Sequence, residues 1–235
     1  LKDFFWTHRL KQYIDLIVIY SDNYKELYDI PCVSIDNGID MDTIRLKKAS
    51  NNKKLINLIA VANINFWHGY DRVIRGMNNY HSYDKEDVHF YIVGDGPEKE
   101  KLIGLTKKFG LANKVHFCGS LSGATLDEVF DISDIAVGSL GIFRKGLKYA
   151  SPIKETEYCA RGIPFITTEN QVYKDCKFVH FVSNDNSAIS ISDLVDWYNS
   201  NISNIPNFTI RQFASDKLSW DYQVTKILSN KKFGL

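Results

Sequence analysis

Short apolar runs alternate along the chain with longer stretches in which apolar residues recur at helical spacing. Residues 16–20, 55–61, 88–94, 115–119, 135–140, 165–168 and 178–183 are nearly continuous in Val, Ile, Leu and Phe. Such runs predict strands buried on both faces, because a strand with one wet face would place a polar residue at every second position. Residues 69–80 put Val73, Ile74 and Met77 on one helical face. Residues 98–109 do the same with Leu102, Leu105 and Phe109, and Gly110 follows, suited to the left-handed turn that closes a helix. Residues 125–132 and 152–160 predict two more helices, and the tail 189–232 predicts two or three, broken around Pro206 and Trp220. This alternation predicts βαβ units: an α/β fold with a doubly wound, mostly parallel, Rossmann-like sheet and C-terminal helices. Residues 1–35 carry a strand and a helix of their own and are expected to belong to a neighbouring lobe. Asp36-Asn37-Gly38 and the polar run 47–54 are the clearest linker.

Composition narrows the class. Of 235 residues, 29 are Lys or Arg and 28 Asp or Glu, a net charge of +1 with no global field to draw nucleic acid or an anionic membrane. With 44% hydrophobic and 24% charged residues the chain is neither disordered, collagen-like nor a coiled-coil rod. Cys32, Cys118, Cys159 and Cys176 are scattered with no C-x-x-C pair, which favours reduced thiols over a zinc site or a stapled secreted domain. No unbroken apolar run is longer than residues 16–20, far short of the roughly 18 residues that span a bilayer. The expected location is cytoplasmic. A first residue that is Leu rather than Met fits a piece of a longer protein.

In a doubly wound sheet, ligands bind beyond the carboxyl ends of the strands, beside the starts of the following helices. Gly94-Asp95-Gly96-Pro97 follows one strand, but Lys99 stands where a dinucleotide fingerprint needs its third glycine, so the reading is a structural turn. Ser151-Pro152 reads as a side-chain cap followed by proline at the first helical position. Lys154 then falls in the first turn, against the helix dipole, an arrangement that suits an anion docked at that helix start. Glu157, three residues on, could accept hydrogen bonds from ribose hydroxyls. The alternative is a surface i,i+3 ion pair between the two. Asn63 and His68 lie in the junction after residue 61, where His68 is a candidate phosphate donor or a structural residue. Arg144-Lys145-Gly146-Leu147-Lys148 is either a solvated charge cluster or a further phosphate contact through Arg144.

In order and spacing these segments resemble the C-terminal, donor-binding half of a GT-B glycosyltransferase of the retaining family 4. Residues 33–39 look like its V-I-x-N-G-V linker, Val61-Ala62-Asn63-Ile64 with His68-Gly69 its V-G-R-L…K-G, and Val93-Gly94-Asp95-Gly96-Pro97 its V-G-D-G-P. Val115-His116-Phe117-Cys118-Gly119 matches V-x-F-L-G, and residues 157–164 match E-A-M-A-x-G-x-P. The resemblance implies a nucleoside diphosphate sugar donor, retention of anomeric configuration and no bound metal or other cofactor. Lys154 and Glu157 become the catalytic and ribose-binding residues, with Asn63, His68, Ser151 and Arg144 as further donor contacts. The family's basic pair falls on Asn63 and His68, and the first of its two glutamates on Tyr149. The implied domains are residues 1–35, part of an acceptor lobe with linker, and 36–235, the donor domain. The implied acceptor is a glycan or lipid-linked hydroxyl held by the rest of that lobe, in bacterial surface polysaccharide synthesis.

Two competing readings remain open at this level. One is a nucleotide-sugar epimerase of the same two-lobed fold; the other is an inactive module that keeps the fold as an interaction platform. Phe4, Phe5 and Trp6 among Lys2, Arg9 and Lys11 either pack on the absent lobe or dock peripherally at the inner face of the membrane.

Overall fold

The computed structural model describes residues 6–7, 9–20, 24–48, 55–80, 86–200 and 202–229. Near the N-terminus, β1 (Ile17–Ile19), β2 (Glu26–Leu27) and β3 (Ile30–Ser34) form a small sheet of order β1-β3-β2. β1 runs parallel to β3 and β2 antiparallel to it. β2 and β3 are joined by a two-residue turn in which Tyr28 (φ 55°) and Asp29 (φ 60°) are both left-handed. That geometry normally draws Asn-Gly, so this hairpin left no signal in the sequence. The strand expected at 16–20 therefore belongs to a separate sheet, and two further strands accompany it.

The second sheet carries the site. Its strands are β4 (Leu55–Val61), β5 (Asp87–Val93), β6 (Val115–Gly119), β7 (Ile135–Val137), β8 (Phe165–Thr167) and β9 (Val179–Phe181). They lie in the order β6-β5-β4-β7-β8-β9, every pair parallel. Helices α1 (Tyr70–Asn79), α2 (Lys99–Lys108), α3 (Gly123–Ile132) and α4 (Ile153–Arg161) connect the strands; α5 (Ile191–Ser200), α6 (Asn207–Lys217) and α7 (Trp220–Leu228) follow. The helices expected between residues 69 and 160 are present within one or two residues, and the tail breaks at Pro206 and before Trp220 as its pattern predicted.

β4 shows why the runs are continuous. Ile56, Leu58 and Ala60 enter one core with Val73, Ile74 and Met77 of α1, while Ile59 enters the other with Tyr158 and Cys159 of α4. Both faces are covered, and the single polar residue of the strand, Asn57, donates its Nδ2 to the Ile132 carbonyl at 2.7 Å. From β4 the chain winds outward to β5 and β6, then returns to β7 and winds the other way. The topological switch lies between β4 and β7, where open sheets of this order bind ligands beyond the strand ends.

The stretch taken as a linker is tied down where it is described. Asp36 N–H donates to Gln223, Ile39 N–H to the Leu218 carbonyl, and Arg211 holds the carbonyls of Met41 and Ile44. Residues 49–54 of the polar run lie outside the described residues, as do Lys2, Phe4 and Phe5. Trp6 is 67% exposed, with the Arg9 guanidinium 5.9 Å from its ring. Among the described residues no helix is long and apolar enough to cross a membrane.

Candidate functional site

α4 spans the switch point. The Tyr158 hydroxyl donates to the Val137 carbonyl at 3.1 Å and accepts the Val61 N–H at 3.2 Å, which fastens the helix across the ends of β7 and β4. Its start differs from the expected one. The cap position belongs to Pro152, in extended conformation (φ −70°, ψ 134°), and no side chain caps the helix. Ser151 lies one residue outside, its carbonyl accepting a 2.5 Å bond from Asn37 Nδ2. Because Pro152 is itself extended, the first helical residue is Ile153 and the Ser151 side chain lies one position too early to cap it. The first N–H groups of α4 consequently have no side-chain acceptor, as an anion site requires.

Lys154 sits in this first turn, 9% exposed. Its single hydrogen bond among the described residues goes to the Tyr70 hydroxyl at 3.1 Å, although an ammonium carries three donors. Burial pushes its pKa down to about 7, against the pull of neighbouring Glu155. His68 stacks on the same Tyr70 ring, centroids 5.4 Å apart. Its Nδ1 accepts the Asn65 N–H at 3.1 Å, so the neutral ring carries its proton on Nε2. Burial, reinforced by the charges of Lys154 and Lys145, pushes the imidazole down to about 3. At neutral pH His68 is an uncharged N–H donor beside the Lys154 amino group. The structure thus brings His68 and Lys154 together, 86 positions apart in the chain.

Glu155 has no counterpart in the sequence reading. It is fully buried, receiving hydrogen bonds from Thr167 Oγ1 (2.6 Å), Asn170 Nδ2 (3.3 Å) and the Ser139 N–H. Burial pushes its carboxyl up to about 7, with those bonds and Lys154 opposing. An acid in a first helical turn ordinarily answers the dipole at the surface, so nothing marked it as buried.

The remaining expected residues separate. The surface pair of Lys154 with Glu157 does not form: Glu157 accepts Arg161 Nε at 2.8 Å, and Arg161 also binds Asp127 at 2.6 Å. Glu157 stays half-buried on α4, next to Tyr158. Arg144 is committed elsewhere. Its terminal nitrogens grip both Asp71 oxygens (2.8 and 2.9 Å), the Phe66 carbonyl (2.7 Å) and Asn186 (2.7 Å). Those bonds fill the outer donors of its planar fork, so a phosphate at Arg144 would have to displace one of these acceptors. Asn63 is exposed on a cleft of about 530 Å³ that it shares with Val61, Gly94, Gly96, Ser120 and Leu121.

Two turns frame these groups. In Gly94-Asp95-Gly96-Pro97, Gly94 has φ 121° and Gly96 φ 152°; a Cβ on the first would overlap the Ala62 carbonyl oxygen, and on the second the Ile64 backbone. The glycines are structural, as expected. The loop 146–152, which carries the 54%-exposed Tyr149, is held instead by distant amides. Asn184 Nδ2 reaches the carbonyls of Leu147 (3.1 Å) and Lys148 (3.3 Å), and Asn170 Nδ2 that of Ala150 (3.0 Å). Behind it, fully buried Arg72 joins the Leu140 carbonyl to Ser183 and Ser187.

A family model described as "Glycosyl transferases group 1" matches residues 40–198. That match corrects the family 4 resemblance. The motifs that carried it record turns and helix ends, such as the glycines against Ala62 and Ile64, which the fold demands and which do not separate families. No curated protein matches the chain. Among solved structures, the chain is similar to the apo lipopolysaccharide outer core galactosyltransferase WaaB (15% identity, TM-score 0.65, 95% of this chain and 63% of that one). It is similar to a glycosyltransferase from Rickettsia africae ESF-5 (15%, 0.68, 96% and 66%) and to Anabaena Alr3699/HepE in complex with UDP (12%, 0.67, 94% and 64%). The chain spans just under two thirds of the length of these three.

Proposed function

The chain belongs to the glycosyl transferases group 1 family, and from that premise we propose that it is the donor-binding half of an enzyme transferring a sugar from a nucleoside diphosphate sugar to an acceptor hydroxyl. Its fold is one half of a GT-B fold. The observation that carries the donor reading is the buried Lys154 ammonium, with one hydrogen bond, in the first turn of an uncapped helix at the switch point. In this reading the diphosphate lies on the α4 N–H groups, Lys154 and His68 Nε2–H, the ribose reaches Glu157, and the base enters the cleft beside Asn63. As the bond from the anomeric carbon to the diphosphate breaks and the bond to the acceptor oxygen forms, negative charge gathers on the departing diphosphate. Lys154 and His68 stabilise it there, and the acceptor proton leaves to a base on the other lobe.

Further parts of the proposal concern the whole protein. They are retention at the anomeric carbon, a glycan or lipid-linked acceptor, an acceptor lobe to which residues 1–35 belong with 36–235 as the donor domain, and a place in bacterial surface polysaccharide synthesis. Action in the cytoplasm, with peripheral contact at the inner face of the membrane, completes it. Exposed Tyr149, where a carboxylate was expected, favours one second reading, a module that holds the fold without transferring sugar.

A thermal-shift titration with UDP, GDP and ADP tests the donor site, and the UDP complex of Alr3699/HepE makes UDP the first choice. A nucleotide at a hundred times its dissociation constant should add about 2.7 kcal/mol to the wild type. The Lys154→Ala and Glu157→Ala variants should respond less. Equal responses in all three proteins would remove these residues from the site, and silence from every nucleotide in this chain and in the full-length protein would overturn the reading.

A further inference from the structure

A second cleft, of about 490 Å³, opens between the segment leading into β9 and helices α6 and α7. Lys174, Lys177, Lys217 and Lys226 line it, and no ion pair joins any of them to a carboxylate among the described residues. Two acids, Asp36 and Asp175, also line it, which leaves the ammonium groups in excess. The apolar lining comes from Val172, Phe178, Phe213 and the half-buried Cys176, and Lys217 lies 5.4 Å over the Tyr222 ring. Its size is that of a small-molecule site, with apolar walls and a few charged groups. Unpaired cations around an aromatic wall select a ligand with an anionic end and an apolar body.

The walls of this cleft are continuous with the pins of the donor loop. Gln171 and Val172 line it, and Asn170, immediately before them, caps their short 3-10 turn through the Val172 N–H. The same Asn170 side chain holds the Ala150 carbonyl and Glu155. On the opposite wall Asp36 precedes Asn37, which holds the Ser151 carbonyl. Both walls are thus hydrogen-bonded, through Asn170 and Asn37, to the segment 150–155.

We propose that this cleft is a second ligand site, for a small soluble organic anion such as an aryl or alkyl phosphate, whose occupancy shifts the loop entering α4. Its regulatory meaning rests on the donor reading of α4, whereas its existence does not. Titration of the 15N-labelled chain with phenyl phosphate, followed by amide NMR, tests it. Expected are saturable shifts at residues 174–178 and 213–217 together with residues 150–154. Both sets should vanish in the Lys177→Ala/Lys226→Ala variant, and inorganic phosphate should bind at least about tenfold more weakly. Equal binding of inorganic phosphate, or shifts confined to the start of α4, would overturn the site. Shifts in the cleft with residues 150–154 unmoved would overturn the coupling. A chain that binds phenyl phosphate as described but no nucleotide would retain the second site while losing the donor reading.

Discussion

The turn at Gly94–Pro97 and the loop at 146–152 both stand beside the candidate donor site, yet they are held by different physics. In the first, backbone packs on backbone: Gly94 and Gly96 lie against Ala62 and Ile64 with no room for a Cβ. In the second, three asparagines from remote parts of the chain, Asn37, Asn170 and Asn184, hold four consecutive or adjoining carbonyls from Leu147 to Ser151. The first turn is rigid because its main chain lies directly against the main chain that follows β4. The second is only as rigid as the elements that bring the amides to it, so it is the one that a distant event can move.

The hardest test of that contrast is Gly94→Ala. Left-handed strain and the overlap with the Ala62 carbonyl should cost about 3 kcal/mol or more in urea unfolding. A cost under about 1 kcal/mol would mean that the turn relaxes and that backbone contact does not hold it.

The second loop leads into Lys154, and there the effect depends on pH. A diphosphate favours the protonated ammonium, whose pKa burial has lowered to about 7. Affinity for a UDP-sugar, whose own charge is constant in this range, should be full below about pH 7 and fall above it, by at most about tenfold per unit. Folding shows the opposite sign. From about pH 7 to 10.5 the unfolded lysine keeps a proton that the folded one sheds, so this group's contribution to stability rises with pH. Glu155 acts below that window: between 4.5 and about 7 the folded carboxyl holds a proton that the unfolded one has lost, and its contribution falls as pH rises. Calorimetric titrations from pH 6 to 9 should show the affinity loss in wild type and none in Lys154→Arg. A flat wild-type profile would place the ammonium outside the site.

The smallest effect is expected from Asn184→Ala. Its amide also accepts the Phe143 N–H at 3.0 Å, so the variant frees three backbone groups that solvent can partly satisfy. Stability should fall by only about 1 kcal/mol, and nucleotide affinity by about threefold as the loop loosens. Unchanged affinity would mean that residues 147–148 do not bear on the donor.

Much of the fold was legible because its signals are local. A strand covered on both faces has to be largely apolar, as in Leu55–Val61, where Asn57 alone is polar and donates to the Ile132 carbonyl, and a helix against a core has to repeat Val73, Ile74 and Met77. The Tyr28-Asp29 hairpin was not legible, since its left-handed turn uses residues that carry no turn signature. In the site, Lys154 stood out as a cation in the wrong turn of a helix. What it faces was hidden.

By itself the sequence determined the alternation of strands and helices, the parallel sheet, the position of the glycine turn and the lysine at the start of α4, because each follows from periodicity or from residue types within a few positions. What the glycines pack against, Ala62 and Ile64, lies far off in the chain. Only the tertiary structure decided that Arg144 belongs to Asp71, that Glu157 belongs to Arg161, and that Glu155 is buried beside Lys154. Hydrogen bonds and ion pairs depend on distance in space and on exclusion of water, and neither is set until segments as far apart as Tyr70 and Lys154 have packed together.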